Sequence, residues 1–200
     1  MASVEKFRHS DVLTILRHCE RTVLHSKNQE IQREKSSLND SLLPERLMTD
    51  FNYYQHRKEQ LYCYNRENVV TLAGWIVTLP KYVLPEQQER FFQVVYQFLS
   101  QRYGEENVVQ AIVHFDESQP HLHFNFIPVA PDLKHGGEKI CAAQVLNRKE
   151  LRSFHPDLQA YLNKNGIYAA VQTGITKRQG GNKSVRLLKE LRDKERSIQR

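Results

Sequence analysis

The sequence predicts an α+β fold: a central antiparallel sheet with flanking helices, followed by a basic C-terminal helix. Three observations carry this expectation. Short β-branched apolar runs alternate with stretches whose apolar residues recur every three or four positions. Two of the runs, 108–115 and 121–129, are separated by the Ser- and Pro-containing segment 116–120, turn chemistry that returns the second strand beside the first as an antiparallel neighbour. No internal repeat replaces this mixed order. With 200 residues, 40% of them hydrophobic and 26% charged, the chain can bury a core, and wholesale disorder is excluded.

The elements follow in order. Residues 4–7 form a short strand, and Ser10 caps a helix that turns Val12, Leu13 and Leu16 inward and runs to about residue 23. Residues 27–46 are rich in Ser, Asn, Gln and charge, so they read as an extended or loosely packed excursion over a surface. Tyrosine-rich residues 49–66 have helical spacing. The run 69–79 is β-branched, apolar and ends at Pro80, as suits an interior strand. Pro85 opens a helix in which Phe91, Phe92, Val95, Phe98 and Leu99 share a face until Tyr103 and Gly104 stop it. After the central hairpin come a short run at 139–145, a helix over 148–164 closed by Gly166, and a strand at 167–175. A Gly180-Gly181 hinge then precedes a helix over 184–200. Residues 1–176 are expected to form one domain, with 177–200 as a basic helical segment that continues it or leads to a further C-terminal region.

The net charge of +6 is localised. Residues 177–200 hold nine Lys and Arg against three acids, so the whole excess lies there. A basic surplus confined to one segment is an electrostatic footprint for a phosphate-rich polymer, although a solvated terminal helix would look the same. Three cysteines without CxxC spacing argue against a disulfide framework or a cysteine zinc knuckle. No stretch approaches the ~18 to 20 uninterrupted apolar residues of a membrane span, and the first residues are charged where a secretory signal needs an apolar run. The expected location is the cytoplasm.

The chemistry lies in His114-Phe115-Asp116-Glu117-Ser118-Gln119-Pro120-His121-Leu122-His123. Residues two apart on a strand share a face, so His121 and His123 are aligned, and His114 reaches the same point if the turn folds back. Three imidazoles on rigid backbone, with no fourth protein ligand placed nearby, describe an open metal site. Spacing alone does not name the ion. Glu117 is near enough to orient a ligand histidine or to handle protons, and orientation is the favoured role.

The string HFDESQPHLHFNFIPV, together with RHCER at 17–21, resembles the relaxase domain of plasmid-mobilisation proteins of the MobV (Mob/Pre) type. These belong to the HUH endonucleases, named for two histidines flanking an apolar residue, as in His121-Leu122-His123. The likeness runs over most of the chain, and the hairpin motif is its specific part. The resemblance implies an HUH relaxase-like fold and a metal-dependent transesterase that nicks one DNA strand at an origin of transfer and stays attached to the 5′ phosphate. It implies that His114, His121 and His123 hold a divalent ion, Mn²⁺ or Mg²⁺, supported by Glu117. It also implies His18 as the nucleophile, with Arg21 assisting at the scissile phosphate. On a helix Arg21 would share a face with His18, and Arg17 could join it. The expected partners are the single-stranded origin strand, with an adjacent DNA hairpin and a conjugation coupling protein as further candidates. Oligomeric state stays open. Arg17, Arg21, Lys27, Lys177, Arg178, Lys183 and Arg186 are the expected nucleic-acid contacts.

One departure is visible. Where the family often carries an Asn-Tyr pair after the excursion, this chain reads Leu38-Asn39-Asp40. Tyr53 and Tyr54, with Tyr62 and Tyr64 behind them, offer an alternative phenolate nucleophile, or core packing, or base stacking along a single-stranded track. Two rivals remain. Histidine-triad nucleotide hydrolases share the string HLHFNFIP but need a third histidine where Asn125 stands, and an amide cannot attack phosphorus. A non-catalytic DNA-binding module with a structural metal predicts binding without a covalent adduct.

Overall fold

The computed structural model describes residues 2–23 and 31–171. Strand β1 (Ala2–Arg8) leads directly into helix α1 (His9–Cys19); a 3-10 turn (Arg33–Leu38), the short strand β2 (Asp40–Ser41) and helix α2 (Asp50–Glu59) follow. Then come β3 (Val70–Thr78), α3 (Pro85–Tyr103), β4 (Val108–His114), β5 (His121–Phe126), β6 (Val129–Pro131), β7 (Glu138–Ile140), α4 (Ala142–Val145) and α5 (Arg148–Lys164). Five strands form one sheet in the order β1-β3-β5-β4-β2, every neighbouring pair antiparallel, and β6 with β7 forms a small second sheet. The strand that carries His121 and His123 is therefore the central one.

Each face of the sheet has its own core. On one side Trp75, Val77, Ala111, Val113, Leu122 and Phe124 meet the apolar stripe of α3 and residues of α5. Trp75 stacks on Phe154 with centroids 3.4 Å apart, and its Nε1–H donates to the Tyr103 hydroxyl at 2.8 Å, which in turn donates to Glu150. On the other side a smaller cluster of Val12, Leu16, Tyr54, Leu61, Leu72 and Val109 holds α1 and α2 against the sheet. Beside it, Gln110 Nε2–H donates to Asp50 and to the Leu16 carbonyl, and Asn125 donates to Gln110. Asn125 fits because its cross-strand partner is Gly74, where a Cβ would stand 2.3 Å from the Asn125 Oδ1.

The expected α+β architecture and the antiparallel hairpin are present, and several boundaries differ. The first helix starts from Arg8, whose N–H bonds the Asp11 carboxylate, and not from Ser10; it ends at Cys19 and not near 23. The polar excursion is ordered over 31–41, because β2 pairs with β4 and Ser36 and Asn39 bond the hairpin turn. Helix α2 stops at Glu59, so Tyr62 and Tyr64 lie beyond it. The strand expected over 121–129 ends at Phe126, and the chain then enters the second sheet. In the expected strand 167–175, the described residues 167–171 alternate buried and exposed outside both sheets; the Gln159 amide bonds Ala169 O and Val171 N–H in place of a neighbouring strand. The remainder, with the Gly180-Gly181 hinge and the helix 184–200, lies outside the described residues. Among the described residues no helix is long and apolar enough to cross a membrane.

Candidate active site

His114 and His121 are cross-strand partners at the closed end of the β4–β5 hairpin, and His123 lies one pleat further along β5. The centroids of the three rings are 4.6, 4.8 and 5.2 Å apart, and one ring nitrogen of each lies within 4.8 Å of the others. The two Nε2 atoms of His121 and His123 face each other at 3.0 Å. Carbonyl oxygens only accept, so the neighbouring carbonyls define the tautomers. His121 Nδ1–H donates to Gln119 O at 2.9 Å, which turns its Nε2 lone pair inward; His114 Nε2–H donates to Cys19 O at 2.8 Å, which leaves Nδ1 as its acceptor.

The C-terminal turn of α1 closes the site. Arg21 N–H bonds His18 O and Thr22 N–H bonds Arg17 O, the paired reverse bonds of a Schellman motif. The left-handed position of that motif favours glycine, yet here it holds Arg21, at φ 59°. Its guanidinium takes Asp116 through two parallel bonds of 2.8 and 2.7 Å, Glu117 at 2.6 Å and His114 Nδ1 at 3.0 Å, and Nη1 reaches back to His18 O at 3.3 Å. Asp116 also accepts from Ser36 Oγ–H at 2.7 Å. The left-handed backbone turns the Arg21 side chain into the hairpin, and helix end, hairpin turn and excursion are tied at one buried carboxylate.

These contacts govern protonation. Burial, then the Arg21 charge, lowers His114 to about 4. Burial first, then the charges of His114 and His121, lowers His123 well below the ordinary imidazole value. His18 is lowered by burial and by Arg21. Burial opposes ionisation of Asp116, but its bonds from Arg21 and Ser36 outweigh that and hold it well below the usual carboxylate range; Glu117 is lowered in the same balance, by Arg21 and His121. Three imidazoles gathered within one ligand-sized space, two of them lowered by burial, beside two carboxylates held low, are the donor chemistry of a divalent-cation site, and these residues fit such an ion.

The sequence profile of the Mob_Pre family, plasmid recombination enzymes, matches residues 1–186. The chain belongs to that family. Mob_Pre proteins are the MobV-type relaxases of the HUH endonuclease group. A plasmid recombination enzyme of Lactiplantibacillus plantarum is 28% identical over 206 residues, covering 100% of this chain and 55% of the relative. One from Bacillus thuringiensis is 31% identical over 169 residues, covering 82% of this chain and 37% of the relative. The chain thus spans about half or less of the length of these relatives. Among solved structures, the manganese-bound MobM relaxase domain (MOBV; Mob_Pre) in complex with plasmid pMV158 oriT DNA superimposes with a TM-score of 0.76 at 25% identity, covering 96% of this chain and 97% of that one.

The Mob_Pre fold brings some of the expected residues together and separates others. His18 lies on the last turn of α1, half-buried, and with Arg21, Arg33 and Ser36 it lines a small cleft of about 100 Å³ beside the histidines. Arg21 has left the helix, so it meets the site through the turn and not by sharing a helical face with His18. Arg17 is exposed on α1. Neither tyrosine of the adjacent pair reaches the histidines. Tyr54 is buried and its hydroxyl donates to Thr71, whereas His121 pairs with Thr78, about 23 Å further along β3 at ~3.3 Å per residue. Tyr53 donates to Glu106 O, just before the end of β4 opposite to His114, and Arg46 covers its ring at 3.7 Å. Lys27, Lys177, Arg178, Lys183 and Arg186 lie outside the described residues. Sequence reasoning missed Asp116, Ser36 and Arg33. Asp116 had a signal, since an acid in a turn between two candidate ligand strands is costly to bury without a partner. Ser36 and Arg33, in a polar stretch, had none.

Proposed function

We propose that this chain is a relaxase domain that nicks and rejoins one DNA strand at the origin of transfer of a plasmid or mobile element, initiating mobilisation, with His18 as nucleophile and a 5′-phosphoryl-histidine intermediate. The observation that carries this reading is the convergence of three imidazoles, the lowered His18 and an arginine-carboxylate cluster at a single end of the sheet, in a fold shared with a manganese- and oriT-bound relaxase domain.

A neutral His18 nitrogen attacks phosphorus, a P–N bond forms, and the P–O3′ bond breaks. The phosphorylated imidazole gives up the proton of its other ring nitrogen, the leaving 3′ oxygen takes up a proton as a free hydroxyl, and the reverse attack by a 3′ hydroxyl, with the proton returned to the ring, rejoins the strand. His114, His121 and His123 would hold the divalent ion, Mn²⁺ or Mg²⁺, with Arg21 yielding the His114 Nδ1 lone pair to it, and the ion when bound would withdraw charge from the non-bridging phosphate oxygens. Glu117 and Asp116 fix Arg21, and Arg21 holds the carbonyl of His18. On this geometry Arg21 acts first as a positioning residue for the nucleophile-bearing turn. Asn125 stands where a histidine-triad hydrolase needs a histidine, and it is spent on Gln110 and Cys19.

The test is incubation with a labelled single strand bearing the origin of transfer, with and without Mn²⁺, followed by denaturing electrophoresis. A protein band shifted by covalent DNA should require the ion, vanish in His18→Ala and persist in Tyr53→Phe/Tyr54→Phe. Adduct formation in His18→Ala or in chelator refutes the mechanism, and strand binding without any adduct favours the non-catalytic module.

A further inference from the structure

The opposite end of α1 opens on a larger cleft, about 500 Å³, whose lining includes Arg8, Lys58, Tyr64 and Arg66 with Thr71 and Val69 behind. We propose that this cleft is a second nucleic-acid subsite, holding one phosphate of a single strand among Arg8, Lys58 and Arg66 and stacking the adjoining base on Tyr64. The proposal rests on reading the chain as a DNA-nicking enzyme and adds a place where the strand is gripped away from the reaction.

Four features point there. First, none of the three cations is in an ion pair among the described residues, whereas Arg21, Arg57 and Arg102 all are. Three like charges around one cleft, with Glu67 the lone acid in its lining, form a site that a phosphate would neutralise. Second, Tyr64 is exposed but held in place. Its ring packs edge-to-face with that of Tyr62 at 5.3 Å, and the Arg66 guanidinium lies over it, 5.7 Å from its centroid. Tyr62 in turn is fixed by backbone bonds to Glu138 and Ile140 and by the His135 ring at 4.8 Å. A partly exposed ring held between a second ring and a guanidinium is a stacking platform for a base, and every base has a face to offer. Third, the cleft is braced from below. The buried Tyr54 hydroxyl donates to Thr71 and lies 3.0 Å from His9 Nδ1, so the rim residue His9 is oriented. The volume suits a nucleotide.

The fourth feature is spacing. His9 at the rim and His18 at the candidate reaction site lie at the two ends of one helix, about 14 Å apart at ~1.5 Å per residue. That distance corresponds to about four nucleotides at the ~3.4 Å stacked rise. A strand cut at His18 and anchored at Tyr64 would lie along α1, past the exposed Thr14 and Arg17.

The experiment measures fluorescence anisotropy of labelled oligothymidylates of graded length with the full chain, and in parallel nicking of the origin strand. Affinity should step up when the strand becomes about four nucleotides longer than the shortest one bound. Lys58→Ala/Arg66→Ala and Tyr64→Ala should each weaken the long strand about tenfold and leave the shortest unchanged, while Tyr64→Phe keeps the step. In the double variant the slope of log affinity against log salt should fall by about 0.7 for each phosphate no longer neutralised. A smooth length dependence, an equal loss for long and short strands, or an undiminished step in Tyr64→Ala overturns the subsite. A length step without nicking by the native protein leaves the subsite standing and removes the enzymatic reading; nicking without a step does the reverse.

Discussion

Replacing Arg21 by glycine separates the two demands made on that position. Glycine adopts φ near 59° freely, so Arg21→Gly relieves about 1 kcal/mol of backbone strain. The same change removes both guanidinium bonds from Asp116, whose side chain is fully buried, and leaves it the Ser36 hydroxyl. Taking one partner from a buried ion pair costs about 3–5 kcal/mol, so the net loss should be about 2–4 kcal/mol for Arg21→Gly and the full ~3–5 kcal/mol for Arg21→Ala, which keeps the strain. Urea unfolding followed by the fluorescence of the single tryptophan, Trp75, gives the ranking native, then Gly, then Ala. The pH dependence is the sharper part. In the native protein the Asp116 carboxyl is depressed, so its contribution is complete above the unfolded value near 3.9 and is lost as pH falls through the folded value. Without Arg21 the buried carboxyl is raised, its contribution changes sign, and the gap between native and variant should narrow as pH drops from 7 toward 4.5. Equal losses for Gly and Ala, with a gap independent of pH, would refute the assignment of Arg21 as counter-ion to Asp116.

Other outcomes follow from the same geometry. Gly74→Ala pushes a Cβ to 2.3 Å from Asn125 Oδ1 and should cost about 1–3 kcal/mol in urea unfolding, a loss that adding Asn125→Ala should largely restore. His114 is neutral and buried, with its folded value near 4 below the unfolded 6.5, so in chelator native stability should decline by up to ~3 kcal/mol as pH falls from 6.5 to 4, and His114→Gln should flatten that slope. Because His18 is lowered, the acid limb of the Mn²⁺-supported nicking rate should lie below pH 6.5, and a midpoint above it would contradict attack by a neutral imidazole. Tyr103→Phe leaves the buried Trp75 N–H without its acceptor and should destabilise the fold by about 1–3 kcal/mol, visible as a lower urea midpoint.

The central hairpin was readable because its signals are local: period-two alternation, a Ser-Pro turn and histidines two apart fix which side chains share a face before any packing is known. The helix α3 was readable for the same reason, with Pro85 and Gly104 marking its ends. What escaped reading depends on partners distant in sequence. The end of α1 is decided by Asp116, 95 residues away, which draws Arg21 out of the helix. The order of 31–41 comes from Ser36 and Asn39 bonding the hairpin turn, in a stretch whose composition alone argues against structure. The 167–171 segment has the alternation of a strand but finds the side chain of Gln159 where a strand would be.

Because β5 is hydrogen-bonded along both edges, His121 and His123 cannot shift without rupturing ladders to β3 and β4 together. Their backbone amides should fall in the slowest class of hydrogen exchange, opening only with the whole domain. His18, by contrast, rides on a terminal helical turn secured by two reverse bonds. Any rearrangement at this end of the sheet must therefore come from the α1 side, swinging against an anvil of imidazoles that stays still.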